Sequence, residues 1–142
     1  MHIVFSTKNR TPFLAEECIR SQMHAYMAGI LANLDCPPAI VGGVADHVHV
    51  LLSLSRNYSL AKIVRELKRS SSKWIKAKGA ELREFHWQNG YGAFSVGQSQ
   101  LDAVRRYIED QEAHHKRLSF QDEFRRFLAK YQISYDERYV WD

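Results

Sequence analysis

His47-Val48-His49 is a stretch whose residue types and spacing suggest chemistry. Followed by Val50, Leu51 and Leu52, it reads as a strand, in which alternate side chains share a face. Both imidazoles then point the same way, ~7 Å apart along the chain, and two such rings can converge on one divalent ion. A pair of half-buried or surface histidines on an ordinary strand fits the same three letters equally well. Tyr107 and Gln111 form a second pair, four residues apart and so one turn apart on a helix face. The amide oxygen of Gln111 can complete a hard-cation site beside the histidines, with Tyr107 in reach of whatever the ion polarises. A phenol, with a pKa of about 10, needs activation before it attacks. A tyrosine packed at the edge of the stripe Leu101, Val104 and Ile108 is the simpler account of the same residue.

Basic residues give a second kind of signal. Lys62, Arg65, Arg69, Lys73 and Lys76 recur every three or four positions, with Lys68 and Lys78 nearby and Glu66 the only acid between Lys62 and Lys78. Self-pairing cannot neutralise such a stripe, so a phosphate-backbone footprint competes with a merely solvated face. Arg105 and Arg106 adjoin Tyr107 and can meet phosphates or water. Phe85-His86-Trp87-Gln88-Asn89-Gly90-Tyr91-Gly92 mixes aromatic, polar and flexible residues, which suits stacking on unpaired bases or a core strand with a bulge. His114 shares the face of Tyr107 and Gln111 as a possible extra ligand; solvation or phosphate contact accounts for His114 and His115 as well. The sequence has no phosphate-binding glycine loop, nucleophile elbow or His-Glu-x-x-His helix.

These residues need elements to position them. His2 to Lys8 is β-branched and aromatic and predicts a strand. Thr11-Pro12 opens a helix to about Leu34, stopped by Cys36-Pro37-Pro38. Ala39 to Ala45 and His47 to Leu54 predict a tight hairpin about Asp46. Ser59 caps the next helix, whose apolar face is Leu60, Ile63, Val64, Leu67, Trp74 and Ile75, and Gly79 follows it in a position where a left-handed residue is often needed. Phe85 to Val96 reads as extended. Ser99 to Asp102 predicts a capped third helix to about Lys116, and Ser119 to Asp122 a fourth to about Tyr131. The tail, with Tyr135, Tyr139 and Trp141, is aromatic enough to dock. The order strand, helix, strand, strand, helix, strand, then extra helices predicts an α+β, ferredoxin-like antiparallel sheet backed by two helices.

Composition bounds the classes. The 142 residues suit one domain, 1–142, and 45% hydrophobic with 25% charged residues argues against a disordered tail or a rod. There is no apolar run near the roughly 20 residues a membrane-spanning helix requires, so membrane insertion is not expected. Cys18 and Cys36 match no zinc or redox spacing, which makes a reduced, cytoplasmic setting the expectation. Twenty Lys+Arg against sixteen Asp+Glu, a formal +4, permits a nucleic-acid partner without requiring one.

Together, His47-Val48-His49, Trp87-Gln88-Asn89-Gly90-Tyr91-Gly92, Tyr107-Ile108-Glu109-Asp110-Gln111 and the opening Ile3-Val4-Phe5-Ser6-Thr7-Lys8-Asn9-Arg10 resemble the HUH single-tyrosine transposases, in particular the IS-two-hundred-like group of small bacterial insertion sequences. The resemblance runs to about Phe124. It implies that His47, His49 and Gln111 hold a divalent ion, Mg or Mn. It implies that Tyr107 cuts single-stranded DNA and forms a 5′-phosphotyrosine, leaving a 3′-hydroxyl that later rejoins strands. It also implies a homodimer that recognises DNA hairpins. A non-catalytic hairpin-binding regulator would keep the basic stripe and need neither His47 nor Gln111. A small metallohydrolase would use the histidines and leave Tyr107 idle.

Overall fold

The computed structural model describes residues 1–115, 118–138 and 140–142, with His114 described by its backbone alone. Four strands, β1 (His2–Ser6), β2 (Pro38–Val44), β3 (His47–Leu52) and β4 (Gly92–Phe94), form one sheet in the order β2-β3-β1-β4. Every neighbouring pair is antiparallel. With helices α1 (Glu17–Asn33) and α2 (Leu60–Lys76) in the two crossovers, this is the ferredoxin-like arrangement the element order predicts.

The two faces of the sheet do different work. Ile3 and Phe5 of β1 and Val48 and Val50 of β3 pack against Met23, Met27 and Leu31 of α1 and Ile63, Val64, Leu67 and Ile75 of α2. That helical spacing is the stripe that drives both helices onto the sheet, each fully buried aliphatic side chain contributing ~1.5–3 kcal/mol. Alternation sends Val4, His47 and His49 to the opposite face. There Val4 and Phe94 meet Phe120, Phe124 and Leu128 of a C-terminal helix, α5 (Phe120–Lys130). Both faces of β1 and β3 are therefore covered, and every residue of the two strands is buried.

Capping explains two helix starts as expected. The Ser59 hydroxyl accepts from the Lys62 amide, and the Ser119 hydroxyl accepts from the Asp122 amide. Other boundaries differ. The first helix begins at Glu17 instead of Thr11, because the Leu14 amide donates to the Ala45 carbonyl at 2.9 Å and holds this segment against the hairpin turn. Ser99 lies in a 3-10 turn, Gln98–Gln100, and makes no cap. The expected long third helix is two pieces, α3 (Leu101–Glu109) and α4 (Gln111–His114), separated by Asp110 at φ −93° and ψ 17°. Its expected end, Lys116, lies outside the described residues.

Gly79 is extended at φ 176°, so no left-handed residue follows α2. Of the extended segment 85–96, only Gly92–Phe94 joins the sheet, and Trp87 makes a single bridge to Thr7. Phe85 and Trp87 are buried, and the Trp87 indole donates to the Ser71 hydroxyl at 2.9 Å. The core alternative thus holds for those two rings. Lys68 leaves the basic stripe, since its ammonium donates to the carbonyls of Gln88, Asn89 and Gly90. The tail does dock: Trp141 packs on Phe120 and Phe124, while Tyr139 lies outside the described residues.

Candidate active site

β3 presents His47 and His49 on one face, as alternation requires, with ring centroids 5.2 Å apart. Both are fully buried. Two glycines let helices close over them. Gly42 is the cross-strand partner of His49, and a Cβ there would stand 2.8 Å from the Ile108 methyl and 3.1 Å from the Ile108 carbonyl oxygen. Only a bare backbone admits α3 this close, which brings the neighbouring Tyr107 ring to 5.9 Å from His49. Gly92, opposite Val4, likewise leaves room for the Phe124 ring of α5.

What α5 delivers is Glu123, a carboxylate 1% exposed beneath the helix. Its Oε1 lies 2.9 Å from His49 Nε2 and 3.3 Å from His47 Nε2. Its Oε2 accepts hydrogen bonds from the Tyr107 hydroxyl and from Gln111 Nε2, and lies 3.2 Å from His115 Nε2. Gln111 Oε1 is 3.2 Å from His47 Nε2 and 3.1 Å from His115 Nε2. His47, His49, Tyr107 and Gln111, distant in sequence, thus meet in one buried cluster.

Each imidazole has a second partner. His47 Nδ1 is 2.7 Å from Asp46 Oδ1, and His49 Nδ1 is 2.8 Å from His2 Nε2. Carboxylates and similar groups behind a ring fix its orientation and are the usual support of metal-binding histidines. The ligating atoms of His47, His49, His115 and Glu123 all lie within 4.8 Å of one another. Such a concentration of buried nitrogen and oxygen donors fits a divalent ion.

Electrostatics follow from the burial of one carboxylate among imidazoles. Burial opposes the Glu123 charge, but hydrogen bonds from His115, His47 and His49 outweigh it and hold the acid well below the usual carboxylate range. For His47, burial alone would lower the pKa, yet hydrogen bonds to Asp46 and Glu123 and their charges raise it to about 9. His49 is pushed down, chiefly by its complete burial. Burial, then the charge of Glu123, pushes the Tyr107 phenol up, so its hydroxyl is a hydrogen-bond donor here. Beside it a cavity of about 400 Å³ is lined by Tyr107, Glu123, Arg126, Lys130, Tyr131 and Gln100, among others.

The basic residues singled out from sequence lie elsewhere. Lys62, Arg65, Arg69 and Lys73 are exposed on α2, across the sheet from the histidines. Arg105 and Arg106 are exposed on α3, and Arg105 lies 3.5 Å from Glu109. His115 joins the cluster where solvent or phosphate was expected; it stands four residues after Gln111, one helical turn on, and so shares its face. The side chain of His114 lies outside the described residues.

Glu123, His115 and His2 were not read as site residues from sequence. A signal did exist for Glu123, an acid on the apolar stripe Phe120, Phe124, Phe127. No local signal marks His2, because only the pairing of β1 with β3 places it beside His49.

The site thus joins a His-x-His strand of a ferredoxin-like sheet to a tyrosine on a helix packed against it. The family described as "Transposase IS200 like" matches residues 1–111, and the chain belongs to that family. Its members are enzymes that cut and join DNA. Among solved structures the chain is similar to a "putative transposase from deinococcus radiodurans r1", at 21% identity and TM-score 0.62, covering 78% of this chain and 88% of that one. It is also similar to the "REP associates tyrosine transposase bound to a REP hairpin", at 13% identity and TM-score 0.59, covering 80% of this chain and 66% of that one. Both share the fold. A comparison with curated proteins finds no match. Among the described residues, no helix is long and apolar enough to cross a membrane.

Proposed function

We propose that this transposase cuts and rejoins single-stranded DNA through Tyr107, with a divalent ion, Mg or Mn, on His47, His49 and Gln111. The observation that supports the reading is the linkage of Tyr107 to both histidines through one carboxylate, Glu123. A nucleophile and a set of metal donors that share a hydrogen-bond partner belong to one reaction centre.

In the proposed step the Tyr107 oxygen attacks the scissile phosphorus. The Oη–P bond forms as the P–O3′ bond breaks, the phenol proton is lost, and the 3′-oxygen takes up a proton as a free hydroxyl. The resulting 5′-phosphotyrosine retains the phosphodiester bond energy, so a second 3′-hydroxyl can displace Tyr107 and rejoin strands. When bound, the ion supplies Lewis-acid neutralisation of the phosphate charge. His47 and His49 are held for that task by Asp46 and His2. Arg126 and Lys130 line the cavity at Tyr107 and offer positive charge to the entering strand.

The proposed partner is DNA with hairpins at the ends of a mobile element, contacted by Lys62, Arg65, Arg69 and Lys73 of α2 and by Arg105 and Arg106 of α3. A homodimer would bring two such centres to the two ends of one element.

The test is incubation with a hairpin-bearing single-stranded oligonucleotide and Mn²⁺, followed by denaturing electrophoresis. A covalent protein–DNA adduct is expected, reduced at least a hundred-fold in Tyr107→Phe with hairpin binding retained. Adducts that persist in Tyr107→Phe overturn the assignment. Binding without any cleavage by the unaltered protein would identify a regulator instead.

A further inference from the structure

We propose that Glu123 couples the metal centre to the nucleophile, as a carboxylate ligand through Oε1 and as the positioning residue of Tyr107 through Oε2, with His115 a further ligand. This rests on the reading of Tyr107 and the metal given above. Residues 112 onward lie beyond the part of the chain that matches the family, so both groups are additions to the His47, His49 and Gln111 set.

The distances carry the argument. Donor atoms bound ~2.0–2.2 Å from one ion stand ~3 Å apart when adjacent in octahedral geometry. Four neighbouring donor pairs fit that spacing: Glu123 Oε1 lies 2.9 Å from His49 Nε2 and 3.3 Å from His47 Nε2, and Gln111 Oε1 lies 3.2 Å from His47 Nε2 and 3.1 Å from His115 Nε2. A simple buried ion pair engages one imidazole, whereas here Glu123 and the amide oxygen of Gln111 together reach three ring nitrogens. Convergence of three imidazoles, a carboxylate and an amide oxygen is the pattern of a coordination shell.

The two oxygens of Glu123 are not equivalent. Oε1 faces His47 and His49, whereas Oε2 accepts from the Tyr107 hydroxyl and from Gln111 Nε2 and lies 3.2 Å from His115 Nε2, so His115 reaches the Oε1 side through Gln111 Oε1. A carboxylate used this way fixes the distance from nucleophile to metal donors within a single chain. It also sets the choice of ion. Three imidazoles make a nitrogen-rich shell, which suits Mn²⁺ or Co²⁺ better than Mg²⁺, an ion that prefers oxygen and water.

Calorimetric titration of Mn²⁺ and Mg²⁺ into the full chain, with Co²⁺ visible absorption as a second readout, tests this. The variants are Glu123→Gln, Glu123→Asp, His115→Ala and Tyr107→Phe, each checked for folding by circular dichroism. Mn²⁺ is expected to bind at least ten-fold tighter than Mg²⁺. Glu123→Gln and His115→Ala should each weaken Mn²⁺ at least ten-fold and shift the Co²⁺ band, while Tyr107→Phe, which removes only a hydrogen bond to Glu123 Oε2, should weaken it less than either. Glu123→Asp, with the charge but a shorter reach, should recover metal affinity more fully than adduct rate.

Unchanged Mn²⁺ affinity and Co²⁺ spectrum in Glu123→Gln, or in His115→Ala should the glutamine variant not fold, overturns the ligand assignment. If the unaltered chain still forms adducts in that case, the Tyr107 reading survives without this proposal. Metal binding that depends on Glu123 in a chain that forms no adduct removes the Tyr107 reading and with it the positioning role, leaving the ligand role. A chain that binds no Mn²⁺ removes both.

Discussion

His2 Nε2 and His49 Nδ1 lie 2.8 Å apart, one hydrogen bond between the first strand residue of β1 and a buried imidazole of β3. The rings are stacked at 5.1 Å between centroids. Because the Glu123 carboxylate accepts at His49 Nε2, the neutral His49 carries its proton there and accepts from His2 at Nδ1. When His49 ligates through Nε2, the proton must move to Nδ1 and the direction of this bond reverses. Burial, and then the neighbouring His49, depress the His2 pKa to about 3, so His2 is neutral and can play either part. His2→Ala is therefore expected to weaken Mn²⁺ binding about ten-fold, the effect of losing a group that orients a metal ligand. Titration calorimetry checks this, and affinity equal to the unaltered chain would dismiss the orienting role.

Gly42 sets how near α3 comes to the sheet. A methyl at this position meets Ile108 at 2.8 Å, and forcing a helix off a packed surface costs roughly 1–3 kcal/mol. Gly42→Ala should lower the urea midpoint accordingly. Because Tyr107 moves with Ile108, adduct formation should slow more than hairpin binding weakens. In a double-mutant cycle with Ile108→Ala, the two changes together should cost less than the sum of each alone, because the truncated side chain makes room for the new methyl.

Exposed Lys62, Arg65 and Arg69 on α2 are expected to act through charge alone. Changing all three to Gln should flatten the dependence of log binding constant on log salt by about 2 to 3 for three lost phosphate contacts. Binding assays from low to moderate salt measure that slope. An unaltered slope would place the DNA on another surface, such as the Arg126 and Lys130 side of the cavity.

Acid should destabilise the metal-free protein through histidines buried as neutral rings. His24, on α1, has a pKa lowered to about 4, first by burial and then by Arg20, and among the described residues its Nε2 has no hydrogen-bond partner. The unfolded chain takes up that proton near pH 6.5 and the folded chain only near 4. The stability is thus present above about 6.5 and is lost as pH falls from 6.5 to 4, by no more than about 3 kcal/mol for this one group. His2 acts in the same direction over a wider range. His24→Leu should flatten the fall between pH 6.5 and 4 in urea unfolding, and an identical pH profile would assign the acid limb elsewhere.

Local features were legible where the cause is local. Proline after Cys36, serine before α2 and α5, and alternation through His47-Val48-His49 act within a few residues, and the structure bears each of them out. The ferredoxin-like order follows from such elements, since antiparallel hairpins and short connections leave few ways to pair them. The start of α1 was not legible, because a backbone bond from Leu14 to the distant Ala45 competes with the helix. Nor was the break at Asp110, which divides the expected long helix into α3 and α4.

The sequence by itself determined the residue types, the same-facing pair His47 and His49, and the shared face of Tyr107 and Gln111, because strand and helix periods are properties of the backbone. Only the tertiary structure decided that those two pairs meet, and that Glu123 stands between them. That meeting depends on how closely α3 and α5 approach the sheet, through missing side chains at Gly42 and Gly92. A carboxylate on an apolar helix stripe is costly to bury alone. It becomes tolerable only beside three imidazoles and a phenol drawn from two other elements and a loop, a balance no local stretch of sequence contains.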